Sequence, residues 1–308
     1  MIKKKTGFIY DIITHPYRYL LLLPAALYTF IYGYCSYPYI IIAFKRFNYR
    51  LGVFGSPFNG LKNFEFFFKS NAAGVVIGNT LYLNLLFLIF TTLVSLVLAI
   101  MLNELGRRTF KRVSQSLMLF PHYLSWVVIG YLIYGVFSME FGILNKMIEA
   151  AGGAAVNWYA KAEVWPAILV IMRIWKGSGM SAVIYLAAIA GIDAGIYEAA
   201  EIDGASRRQQ ILRITLPLLM PTACILTLLS IGRIMYGDFG MIYAIIGDNG
   251  VLYPTTDIID TYIFRALRQT GNPAQAMAIS LFQSVIGFIM VFGSNKLTYK
   301  LFPDGALY

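Results

Sequence analysis

Charge is scarce in this chain. Asp, Glu, Lys and Arg make up 13% of its 308 residues, against about 25% in a soluble globular domain. A water-facing surface cannot be covered at that density, which excludes an ordinary soluble protein. Cysteine is nearly absent: Cys35 and Cys224 both lie in apolar stretches. They read as reduced packing residues, and a disulfide framework is excluded. Histidine is as sparse, and His15 and His122 are far apart in sequence, so no His/Cys metal cluster suggests itself. The phosphate-cradling pattern G-x-x-x-x-G-K-[ST] is missing, as is a nucleophile elbow for a Ser-His-Asp hydrolase. An enzyme with its own active site is set aside.

What the chain has in quantity is apolar surface: 58% hydrophobic residues, a mean hydropathy of +0.66 and 16% aromatics. That composition belongs to an all-α integral membrane protein, with tyrosine and phenylalanine available for interfacial belts and for stacking on sugar rings. The net charge of +10 has no lysine-rich domain or tail to carry it. Nucleic acid is therefore not an expected partner, and basic residues flanking spans account for the excess.

A span needs about 20 mainly apolar residues. Six such runs are predicted, at 19–44, 76–104, 113–137, 164–190, 218–246 and 273–295, preceded by a polar N-terminal segment, 1–18. The run after Lys3, Lys4 and Lys5 is too long for a signal-peptide core and reads as a permanent span. Between spans lie a long aromatic loop at 45–75, a basic turn at 105–112, an amphipathic stretch at 138–163 and a polar loop at 247–272. With the N-terminus inside, the inner segments hold thirteen Lys and Arg and the outer loops nine. This predicts both termini on the cytoplasmic side, although five of the nine crowd the first outer loop.

The segment 191–217 is a polar island between two apolar runs. Asp193 can cap a helix beginning near Ala194, Gly204 permits a sharp turn, a second short helix is predicted from Ser206 to Thr215, and Pro217 opens the next span. On physics alone this is either a docking element or an amphipathic connection resting on lipid headgroups. Its spacing adds more: Glu198-Ala199-Ala200, then Asp203-Gly204, then Ile214-Thr215-Leu216-Pro217. The pattern resembles the EAA loop of permeases in binding-protein-dependent sugar importers of the maltose-transporter type. Six spans with such a loop between the fourth and fifth extend the resemblance over nearly the whole chain. PHYLSWVV from Pro121 and DIIDTYIFRAL from Asp257 resemble the branch that takes up complex oligosaccharides.

The resemblance implies a type I ABC-importer permease bundle in a bacterial cell membrane. It implies a second homologous permease, two cytoplasmic ATPase subunits holding ATP and Mg, an external solute-binding protein and an oligosaccharide substrate. Glu198, Ala199, Ala200, Asp203, Gly204, Ile214, Leu216 and Pro217 would couple to the ATPase, and Arg207 and Arg208 would meet either the ATPase or acidic lipid headgroups. Charges within spans are expensive and need a reason. Arg173, Trp175, Arg233, Tyr236 and Asp238 are candidates for a polar substrate path. Arg233 or Arg173 could instead simply pair with Asp238 or with an acidic residue of a partner subunit. Gly177-Ser178-Gly179 marks a break or a close-packing point, while Asn84 and Gln283 are either inter-helix hydrogen bonds or path residues. Three other readings stay open: an ion-driven carrier with Arg233 and Asp238 as a proton relay, a membrane scaffold that binds an ATPase without transport, and an importer of a non-sugar solute.

Overall fold

A computed structural model describes residues 8–301, and Lys3, Lys4 and Lys5 lie outside them. Among the described residues the regular structure is helical, apart from one antiparallel bridge between Lys45 and Phe58. Five stretches are long and apolar enough to cross a membrane, and a bent pair supplies a sixth.

The first span, Pro16–Phe44, starts as α1 (Pro16–Tyr28) and continues as a π-helical stretch (Thr29–Tyr34) and a 3-10 stretch (Tyr37–Phe44). Within it only Ile42 and Ala43 are buried. Its end packs within the chain, through Tyr39 on Phe54 and Phe44 on Phe64, while the α1 portion is exposed among the described residues and suits lipid or a second subunit.

The scaffold is α2 (Asn71–Glu104) packed along α6 (Trp165–Ala190). At 1.5 Å per residue α2 is about 51 Å long, well beyond a hydrocarbon core of about 30 Å. Its buried residues, Ala73, Val76, Thr80, Leu83, Phe87, Ser95, Ala99 and Leu102, recur at helical spacing and form one stripe. Three apolar clusters hang on that stripe: Ala73 and Val76 with Phe67, Met235 and Ile259 near its start, Leu83 and Phe87 with Trp165 and Met241 further along, and Ala99 and Leu102 with Tyr185 and Leu219 at its end. Space is left between the second and third clusters.

Two predicted spans are not straight. Run 113–137 divides into α3 (Arg108–Tyr123) and α4 (Trp126–Phe137), bent by 94°. Leu124 and Ser125 form the elbow, and the Ser125 hydroxyl accepts the N–H of Val128 to start α4. Run 218–246 is also broken. α8 (Arg207–Ile231) ends at Gly232, and α9 (Phe239–Ile246) starts after an irregular segment. The amphipathic stretch forms α5 (Ile143–Ala150), α7 (Ala194–Ile202) lies between α6 and α8, and α10 (Ile259–Arg268) and α11 (Pro273–Leu301) complete the fold.

Glycine sets two of the helix contacts. A Cβ on Gly179 would lie 2.1 Å from the Met118 carbonyl oxygen, and one on Gly130 2.2 Å from that of Ala244. These close approaches join α6 to α3 and α4 to α9. Gly177-Ser178-Gly179 is therefore a packing point inside a continuous helix. The long loop is ordered too: Phe67 is buried against Tyr262, Phe68 meets Phe282 edge-on, and buried Lys45 donates to the carbonyls of Val53 and Phe54. One of the basic residues crowding that loop is thus a structural cross-link.

Candidate functional site: an exposed helix and a cationic cavity

At one end of α8 the chain builds a sharply bounded exposed helix. The Asp193 carboxylate accepts the N–H of Gly195 and starts α7. Gly204, at φ +77°, ends it: the N–H of Gly204 reaches the carbonyl of Glu201, and that of Ala205 reaches Ala200, a Schellman closure. Two residues later Ser206 starts α8 with a reciprocal capping box to Gln209. No residue of α7 is buried, and Ile202 is 87% exposed. The helix is tied to α8 through the hydroxyls of Tyr197 and Thr215, 2.8 Å apart, and Glu201 pairs with Arg207 at 3.3 Å.

The second short helix expected at Ser206–Thr215 is not a separate element. It runs into the fifth span as one helix, through a π-helical stretch at Ile211–Thr215. Pro217 has no N–H to donate, and its ring crowds the preceding turn. The widened turns just before it accommodate both effects, so the helix passes the proline without breaking.

At the other end of α8 lies a cavity of about 860 Å³, in the gap between the second and third apolar clusters. α2 contributes Asn84, Thr91 and Thr92, α6 contributes Arg173, Lys176 and Ser181, and α8 with the segment beyond it contributes Ser230, Arg233, Tyr236 and Asp238. The Thr91 hydroxyl is buried without a hydrogen-bond partner among the described residues.

Asp238 organises this region. One carboxylate oxygen accepts from Arg173 at 2.6 Å and from the Trp126 indole at 3.1 Å, while the other caps α9 through the N–H of Met241. One turn from Arg173, the Lys176 ammonium donates to the carbonyls of His122 and Leu124 at the α3–α4 elbow and lies over the Trp126 ring. Two cations of α6 thus secure both interrupted spans. Irregular backbone within a membrane requires every freed polar group to find a partner. Between α8 and α9, Asn84 donates to the carbonyls of Ile234 and Tyr236, Gln283 donates to that of Met235, and Asp260 accepts the N–H of Gly237 at 2.7 Å.

A family profile described as "Binding-protein-dependent transport system inner membrane component" matches residues 91–297, more than half of the sequence. The chain belongs to that family. It is 32% identical over 303 residues to the polygalacturonan/rhamnogalacturonan transport system permease protein YteP of Bacillus subtilis, covering 98% of this chain and 94% of that one. A chain of the crystal structure of a bacterial ABC transporter involved in the import of the acidic polysaccharide alginate superposes with a TM-score of 0.86, at 30% identity, over 95% of this chain and 98% of that one. The alginate transporter has also been crystallised in complex with an alginate pentasaccharide-bound periplasmic protein, where a chain matches with a TM-score of 0.85, 30% identity and coverage of 96% and 98%.

Of the residues singled out from the permease's sequence, Arg173, Arg233, Tyr236 and Asp238 line the cavity and Trp175 does not. Two residues along a helix from Arg173 is about 200° of rotation, which turns Trp175 to another face of α6. Lys176, Trp126 and Asp260 were not foreseen in these roles. An intramembrane lysine one turn from an arginine was the available signal for the first. Asn84 and Gln283 both bond between helices, and Asn84 also lines the cavity.

Proposed function

We propose that this permease imports an oligosaccharide delivered by an external solute-binding protein. It would form half of the translocation path with a second, homologous permease in a bacterial cell membrane, both termini cytoplasmic. Two ATPase subunits carrying ATP and Mg would supply the energy. Supporting the substrate class are the polysaccharides after which the similar transporters are described, polygalacturonan, rhamnogalacturonan and alginate. The observation that carries the coupling role is α7, a capped helix with no buried residue at the foot of a continuous span.

Glu198, Ala199, Ala200, Asp203 and Gly204 form the coupling surface in this reading, with Ile214, Leu216 and Pro217 in the stretch of α8 beneath it. Closure of the ATPases on ATP would move α7, and the Tyr197–Thr215 bond would pass that motion to α8. Such a device works only if ATP-driven closure favours one orientation of the bundle over the other. Arg173, Arg233, Tyr236 and Asp238 would border the path.

The test is ATP hydrolysis by the complete transporter in liposomes, with and without the loaded binding protein. Glu198→Ala and Gly204→Asp are expected to abolish the stimulation while the subunits stay assembled. Copurification without any ATPase, or stimulation that survives both substitutions, would reject the coupling role.

A further inference from the structure

We propose that Arg233 is the substrate-selecting residue of this permease and that it binds a carboxylate, so that the imported oligosaccharide is an anionic one. This rests on the importer reading above and adds the substrate's charge to it.

Three basic side chains line the cavity, Arg173, Lys176 and Arg233, with His122 beside them, and Asp238 is the one acidic residue among the lining side chains. The cations are not equivalent. Arg173 is neutralised by Asp238, and Lys176 is engaged by elbow carbonyls and the Trp126 ring. Arg233 has no ion pair and no side-chain hydrogen bond among the described residues, and its side chain is exposed at the cavity wall. A guanidinium within a span calls for a counter-ion, and its planar fork suits a carboxylate in two-point contact.

The rest of the lining agrees. Neutral sugars present hydroxyls that both donate and accept, and they need acceptors. Here the carboxylate oxygens of Asp238 already serve Arg173, Trp126 and Met241. The hydroxyls of Thr91, Thr92, Ser181 and Ser230 can serve sugar hydroxyls of any kind, whereas the Arg233 guanidinium is the lining group whose charge a carboxylate would meet. Tyr236, three residues from Arg233, is 40% exposed and anchored through its hydroxyl to Ser284 at 2.8 Å, leaving an aromatic face for a sugar ring.

The experiment uses the whole transporter in liposomes with its binding protein. Trisaccharides of galacturonate, mannuronate and glucuronate are supplied, each as free acid and as methyl ester. At least one acid is expected to be taken up in an ATP-dependent manner. For that sugar Arg233→Gln should lower uptake of the acid about tenfold, the scale of one charge-assisted hydrogen bond, and change uptake of the ester less than twofold. Arg233→Lys should recover part of the loss. Because the same binding protein serves every variant, a changed acid-to-ester ratio reports on the permease. Equal losses for acid and ester, no uptake of any acid, or loss of subunit assembly in Arg233→Gln would overturn the proposal, the last by placing the counter-ion on a partner subunit. Ester uptake that depends on ATP and on Glu198 would leave the importer standing and remove only the anion selectivity.

Discussion

Gly179 and Gly204 show two uses of a missing side chain. At Gly179 the backbone of a neighbouring helix occupies the space, with the Met118 carbonyl oxygen 2.1 Å from where a Cβ would lie. Gly179→Ala must push α3 from α6, and we expect a cost of about 1–3 kcal/mol, the usual scale of overpacking, read as a lowered Tm of the solubilised complex. At Gly204 nothing lies within 4 Å, but φ is +77°. Gly204→Ala therefore meets only backbone strain of about 1–2 kcal/mol. Expression and assembly should be normal, and the loss should appear in substrate-stimulated ATP hydrolysis. The sequence motif singled out Gly204, whereas at Gly179 it left a break and a packing point equally open. Asp238 combines a helix cap, an ion pair and an indole bond, so Asp238→Ala should lower the Tm more than Arg233→Gln, which breaks no side-chain bond among the described residues.

Among the elements, the two interrupted spans were the least legible. A broken helix with apolar residues on both sides of the break has the composition of an intact one, and Gly232 and Gly237 are ordinary in a membrane helix. The break is visible only through the side chains that satisfy it. Replacing Asn84 with Leu strands two carbonyls at about 1–3 kcal/mol, and a thermal melt of Asn84→Leu should show a drop of that scale. Asp260, on α10 outside the spans, adds a pH dependence. Burial raises its carboxyl above the ordinary 3.8, despite hydrogen bonds from Gly237 and Gln283 that pull the other way. The folded state thus holds this proton more tightly than the unfolded one. Its stabilising contribution is full below 3.8 and is lost as pH rises through the raised value. Asp260→Asn should therefore gain Tm relative to the native chain as pH increases across that window. By contrast the start of α7 at Asp193 and the turn at Gly204 were readable directly, because capping chemistry is local.

For the whole molecule, hydropathy places six spans, and the structure has five plus a bent pair. Hydropathy could not show which face of α2 is buried, because its lipid-facing side is as apolar as its buried stripe. The orientation proposed from lysine and arginine bias can be checked directly. In a Cys35→Ser/Cys224→Ser background, a cysteine at Ile202 should react with an impermeant maleimide only in inside-out vesicles, and one at Val251, 58% exposed, only in right-side-out ones. The unbroken course of α8 has a further consequence. Thr215, bonded to Tyr197, and Ile231, two residues before Arg233, are separated by about 24 Å of rigid rod. A swing of roughly 10° about its midpoint displaces the two ends by roughly 2 Å in opposite senses, enough to pull a guanidinium out of reach of an oxygen held elsewhere. The geometry sets a gear ratio near unity: a small stroke at the foot of the rod loosens the grip at its head by the same amount, so release of cargo could be timed by the stroke itself.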